Sequence, residues 1–335
     1  MRNRTFIAVT FAIAIAVIAA SRLVSNDYFF SAAYTVLQFV ILATAWNVLG
    51  GYTGYVNFGS AAFFAVGAYT TVFFHKALSL PLPVMIVAGT LVAGLLGLGV
   101  GYLTLRMRGV FFAIATLALS VVLYTFVVNW DYVGGARGAY IILPREVPFG
   151  LPRYIHLLYA AMVLMTALAL VIARAIETSS IGRGLAAIRD DEVAAECAGV
   201  PTLRLKLFSA TVSGAMMGMA GTTLPYYISY IEPSAAFNLS YAVNSIAMPL
   251  IGGMTSWLGP LIGAVLLGSV QQIVQVTVSS AWNLLIVGVL LVVFVTMAPN
   301  GIMGWVDTWR GRLRHRREIG SRLGNPGGRG PGSLP

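Results

Sequence analysis

The chain has 335 residues, of which 58% are hydrophobic and only 10% are charged. A soluble protein of this length carries about a quarter charged residues, so this composition, with a mean hydropathy of +0.84, excludes an ordinary soluble globule and points to membrane helices. The net charge of +10 sits largely in one place, with Arg310, Arg312, Arg314, Arg316, Arg317, Arg322 and Arg329 near the C-terminus. No aromatic residue interleaves them as a nucleic-acid stacking platform requires, so no nucleic-acid partner is expected and membrane lipid is the natural neighbour.

Taken in chain order, apolar segments fall at about 6–24, 31–50, 60–77, 83–104, 110–128, 154–175, 207–230, 239–255, 257–279 and 281–298. At about 1.5 Å per residue, most can cross a hydrocarbon core of about 30 Å. Residues 60–77 and 239–255 are short and either Gly-rich or interrupted by Pro249, so they are expected to be re-entrant or broken. The expected fold is an all-α polytopic membrane protein of about 8–10 transmembrane helices, including such short or re-entrant segments. The first segment reads as a retained span, or as a signal peptide with Ala19-Ala20 near its cleavage point. Residues 1–308 form one transmembrane domain. Residues 309–335 form a basic tail whose Gly, Pro, Ser and Arg predict no fixed structure.

Placing the N-terminus in the cytoplasm puts 16 of the 21 Lys and Arg inside. Arg22, Lys76, Arg137, Arg145 and Arg153 then lie outside. This sorting fits a multi-pass protein of a bacterial inner membrane with a cytoplasmic C-terminus. The one long external loop, at about 129–153, is a surface on which an outside partner can dock.

The cytoplasmic loop at 177–206 gathers charge that the rest of the chain avoids. Within residues 179–199, SSIGRGLAAIRDDEVAAECAG, stand Arg183, Arg189, Asp190, Asp191, Glu192 and Glu196. Each would cost about 2.5–3.5 kcal/mol in lipid. The stretch favours helix from Gly184 to Ala198, with Gly199 and Pro201 as stop signals. The acids at 190–192 can open a second short helix. Ala187, Ala194 and Ala198 give a small-sided face. A solvated connector is the plain alternative. The small face with flanking charge better suits a helix that docks on another protein.

A second unusual stretch is GYTGYVNFG, residues 51–59. Gly51, Gly54 and Gly59 permit turns and close backbone approach. Thr53, Asn57 and Ser60 can bridge the freed backbone groups. Asn47, Thr53 and Asn57 are candidates for the translocation pathway, with hydrogen bonding between helices as the alternative. Gly94, Gly97, Gly99 and Gly101 read as helix packing.

The pattern Glu192-Val-Ala194-Ala195-x3-Gly199 resembles the EAA-x3-G loop of ABC importer permeases, departing from it by the inserted Val193. With Gly182-Arg183 before it, the loop is similar more narrowly to the Liv-type branched-chain amino acid permeases. GYTGYVNFG followed by AFFAVGAY (62–69), and IGG (251–253) followed by GPLIGA (259–264), extend the resemblance over about residues 46–300. The resemblance implies a coupling helix over 182–199 that sits in a groove of a cytoplasmic ATPase. It implies as partners a second permease of the family, two ATPase subunits and an extracytoplasmic solute-binding protein. It implies a branched-chain amino acid as solute, with amides, urea or other amino acids as alternatives.

The residues agree with a driven rather than self-powered machine. No phosphate-binding loop is present, so no cofactor is expected on this chain and ATP with Mg²⁺ would sit on the partner. No buried ion relay is evident, since Glu177 and Arg174 stand at a span's edge. A secondary carrier or channel would need no docking loop. A transferase holding Mg²⁺ at Asp190, Asp191, Glu192 and Glu196 would need a second acidic cluster, and the other acids are scattered. With one cysteine, Cys197, and dispersed His75, His156 and His315, no metal site is expected. The chain reads as a transport subunit, not an enzyme.

Overall fold

The computed structural model describes residues 3–24, 26–78, 80–107, 109–143, 153–277 and 301–304, with isolated positions between 285 and 296. The expected span at 281–298 and the tail at 309–335 lie wholly or largely outside the described residues.

Among the described residues, seven helices are long and apolar enough to cross a membrane. They are α1 (Asn3–Ser21), α2 (Asp27–Thr53), α3 (Ser60–Leu78), α4 (Leu82–Thr104), α5 (Val110–Val128), α6 (Tyr154–Thr178) and, further on, α13 (Leu258–Thr277). Between α6 and α13 lie α7 (Ser180–Asp190), α8 (Glu192–Cys197), α9 (Thr202–Gly221), α10 (Leu224–Ile228), α11 (Pro233–Ala236) and α12 (Leu239–Gly252).

Two expectations change here. The segment at 60–77 is an unbroken 19-residue helix, α3. Its glycine serves close packing, not a break. The expected span at 207–230 is divided: α9 ends before Thr222, and Pro225 opens the separate turn of α10. The segment at 239–255 is short as expected. Its helix α12 has 14 residues with Pro249 inside, so it rises only about 21 Å.

The core centres on α2. Every residue from 38 to 53 is buried, as suits a helix that is apolar all round. Helices α6, α9, α12 and α13 pack around it. A second seam joins α9 to α3 and α4. A methyl added at Gly67, Gly218 or Gly221 would overlap the Gly218 carbonyl, Ala93 or the Phe64 carbonyl, respectively. Small residues thus let backbones touch where no hydrophobic drive separates helix from lipid. Gly94, Gly97 and Gly101 face the same seam, whereas Gly99 faces open space.

The bundle has two distinct ends. At one, Arg153 pairs with Asp27, Lys76 Nζ donates to the Tyr132 carbonyl at 3.1 Å, and Tyr230 donates to the Arg137 carbonyl at 2.7 Å. There β1 (Ala139–Tyr140) pairs antiparallel with β2 (Tyr230–Ile231), with Ala139 opposite Ile231. The opposite end carries α7, α8 and the turn at 54–59.

Candidate docking site

The loop after α6 folds into a two-helix corner. Ser179 starts α7 by accepting from the Gly182 N–H at 3.3 Å. Leu185 and Ile188 turn inward and are buried, while Arg183 and Asp190 stay exposed. The helix stops at Asp191, whose backbone is extended. Its Oδ1 accepts from the Val193 and Ala194 N–H groups at 2.9 and 3.0 Å, which satisfies orphan donors of α8. The corner ends at Gly199, where φ is 82° and the Val200 N–H returns to the Ala195 carbonyl at 3.0 Å. This is the left-handed stop that glycine favours. Only Ala195 of α8 is buried. Val193, Ala194, Cys197 and Ala198 form a small-sided exposed face. The break at Asp191 leaves Ala187 on the other helix, half-buried.

Not all of the loop's charge faces outward. Glu192 and Lys206 meet at 2.7 Å, with side chains only 13% and 4% exposed. Lys206 Nζ also donates to the Leu105 carbonyl at 3.0 Å and to Tyr55 Oη at 3.2 Å. The Tyr55 hydroxyl in turn donates to Glu192 Oε2 at 2.6 Å. The ammonium, the phenol and the carboxylate therefore close a ring of charge-assisted bonds. Glu196 accepts from Thr202 Oγ1 at 2.7 Å, tying α8 to the start of α9. Arg189 reaches the Gly51 carbonyl at 3.4 Å and lies alongside Gly54. Its pairing with Asp190, also at 3.4 Å, is solvent-accessible and contributes little.

The turn beneath this corner is tied by several hydrogen bonds. Gly54 has φ 79° and ends α2. Trp46 Nε1 donates to the Asn57 carbonyl at 2.8 Å. The Gly59 N–H donates to Asn57 Oδ1 at 2.7 Å, and the Phe58 N–H to Thr116 Oγ1 of α5 at 3.1 Å. Thr53 Oγ1 donates to the Leu49 carbonyl at 2.5 Å. Beside the turn, Glu177 Oε2 accepts from the Trp257 N–H at 2.6 Å and from Tyr52 at 3.3 Å. The Arg174 guanidinium stacks over Phe6 at 3.8 Å, a cation–π contact that fastens α1.

Residues 28–295 match the family described as branched-chain amino acid transport system / permease component. The chain belongs to that permease family. It is 26% identical over 289 residues to the high-affinity branched-chain amino acid transport system permease protein LivM of Salmonella typhimurium, covering 79% of this chain and 67% of the relative. The LivM of Escherichia coli is 25% identical with the same coverage. A probable branched-chain amino acid transport permease protein LivH of Methanocaldococcus jannaschii is 24% identical over 283 residues, covering 79% of this chain and 88% of its own. No solved structure matches the chain.

The permease thus brings together the loop residues singled out by sequence, Gly182 to Gly199, in one corner, but points them in different directions. Arg183, Asp190 and Ala194 are presented outward, Glu192 is drawn inward, and Asp191 caps its own helix. Thr53 and Asn57 bond to nearby backbone, and Asn47 is buried against Gly51. None of these three lines an open pocket of about 290 Å³ between α3, α5 and the start of α12, which Phe58, Ser120, Tyr124 and Phe237 border. Sequence reasoning did not single out Tyr52, Tyr55 or Lys206. The available signal was a pair of tyrosines flanking Gly54, facing two acids, Glu177 and Glu192, that flank α7.

Proposed function

We propose that the permease is the membrane subunit of an ATP-driven importer of branched-chain or related amino acids in a bacterial inner membrane. The observation that carries this reading is the corner at 180–199. It is an exposed, small-sided, charged surface held to the bundle by buried bonds, as a docking element for a force-producing partner requires. Family membership and the names of the LivM and LivH relatives support the solute. Two cytoplasmic ATPases that hold ATP and Mg²⁺ would dock on Arg183, Arg189, Asp190 and Ala194. A second permease would complete the pathway, and an extracytoplasmic binding protein would deliver solute. The chain itself performs no catalysis. Alternating access follows when closure of the ATPase pair moves the two corners together.

The test is uptake of labelled leucine into vesicles that hold the permease with its partner subunits. Uptake is expected to require ATP and to be lost in Arg183→Glu combined with Asp190→Arg while the permease pair stays assembled. Uptake without ATP makes the protein a carrier or channel. ATP-dependent uptake of an amide or urea, but not leucine, moves the solute to the other branch of the family.

A further inference from the structure

The stretch GYTGYVNFG and the buried Lys206 lie directly beneath the corner. Three elements meet at one ring: Glu192 from α8, Lys206 from α9, and Tyr55 from the turn between α2 and α3. We infer that the Tyr55–Glu192–Lys206 ring transmits movement of the docking corner through the 54–59 turn to α5. The inference rests on the reading of residues 180–199 as the ATPase-docking element.

Three features carry it. The first is where the turn leads. Phe112, Thr116 and Val127 are the buried residues of α5, and two of them touch this turn. The Phe112 ring stands edge-on to Tyr55 at 5.2 Å, and Thr116 accepts from Phe58. Most of the rest of α5 is exposed in the single chain, and these two contacts tie its first turns to residues 55–58. The second is how the turn is tied. Trp46 donates to the Asn57 carbonyl and the Phe58 N–H to Thr116, while the Gly59 N–H closes the turn on Asn57 Oδ1, so a displacement entering at Tyr55 meets α5 at Phe112 and Thr116. The third is what α5 borders. Leu117, Ser120 and Tyr124 form one wall of an open pocket of about 290 Å³, and Phe58 of the turn lines it as well. A shift of the corner therefore changes the shape of a pocket on the face of the bundle. An ionic ring suits this task, because its short directional bonds fix distances, whereas an apolar cluster of the same volume would hold the fold equally well.

Tyr55→Phe is the sharpest test, since it removes one oxygen and keeps the ring against Phe112. The permease, assembled with its ATPases and binding protein in vesicles, is assayed for solute taken up per ATP hydrolysed. Tyr55→Phe and Glu192→Gln are expected to assemble and hydrolyse ATP, with uptake per ATP several-fold lower. The double variant is expected to be no worse than Glu192→Gln alone, because both cut one link. Unchanged uptake per ATP in the assembled variants overturns the inference, even where thermal stability or assembly yield falls, since that is the behaviour of bonds that only hold the fold. A wild-type complex whose uptake ignores ATP overturns the importer reading and this inference together. Normal wild-type coupling with unaffected variants overturns this inference alone.

Discussion

The two ends of the bundle are held by different kinds of bond. At the end with residues 180–199, Lys206 and Glu192 are almost wholly removed from solvent and share Tyr55, and Lys206 also donates to the Leu105 carbonyl. At the other end, Asp27 and Arg153 meet with side chains 44% and 68% exposed, and a ladder of two residues per strand joins the 139–140 and 230–231 segments. Exposed pairs gain little because water and salt screen them and long side chains must be ordered. A buried pair is unforgiving, since removing one partner strands the other charge. The end with residues 180–199 therefore keeps fixed distances, and the opposite end tolerates change.

The largest effect should come from asking which end faces the cytoplasm. Cys197 is the chain's one cysteine and is exposed. A membrane-impermeant maleimide is expected to label it in inverted vesicles and leave it untouched in right-side-out ones. The reverse pattern would place the docking corner outside and end the ATPase-docking reading. Next, Lys206→Met should lower unfolding stability in detergent by about 3–5 kcal/mol, the range for a broken buried pair. A loss no larger than that of a surface change would erase the contrast between the ends. Smallest, Arg153→Ala should cost under about 1 kcal/mol and leave uptake unchanged. A larger loss would show that the far end is also held by its charges.

Much of this architecture is legible from the sequence because lipid imposes a simple rule. Long apolar runs become helices, and α1, α2, α4, α5 and α6 fall close to where hydropathy puts them. The rule fails where packing replaces lipid. Helix α9 carries Ser209, Ser213, Gly214 and Gly218, so the division of the 207–230 segment has no hydropathy signature. The stop at Gly199 follows from local backbone chemistry, and a local pattern can reveal it. The direction of Glu192 does not. It depends on the break that Asp191 introduces and on Lys206, which lies beyond Pro201 and reads in isolation as one more loop cation. The same holds for Tyr55, whose hydroxyl acquires meaning only when the corner folds over it.

The seam of α9 against α3 and α4 bears on how far this sequence can drift. At Gly67, Gly218 and Gly221 there is no space for even one methyl, so a change at any of them requires neighbouring backbones to part together. Along the outer sides of α4 and α5, Leu95, Leu103, Val110, Phe111 and Val122 are exposed, and where lipid is the neighbour almost any apolar shape fits. The range of sequences able to adopt this fold is accordingly narrow along one line through the bundle and wide over most of its circumference. A low overall identity between two such chains can therefore conceal a nearly invariant backbone contact.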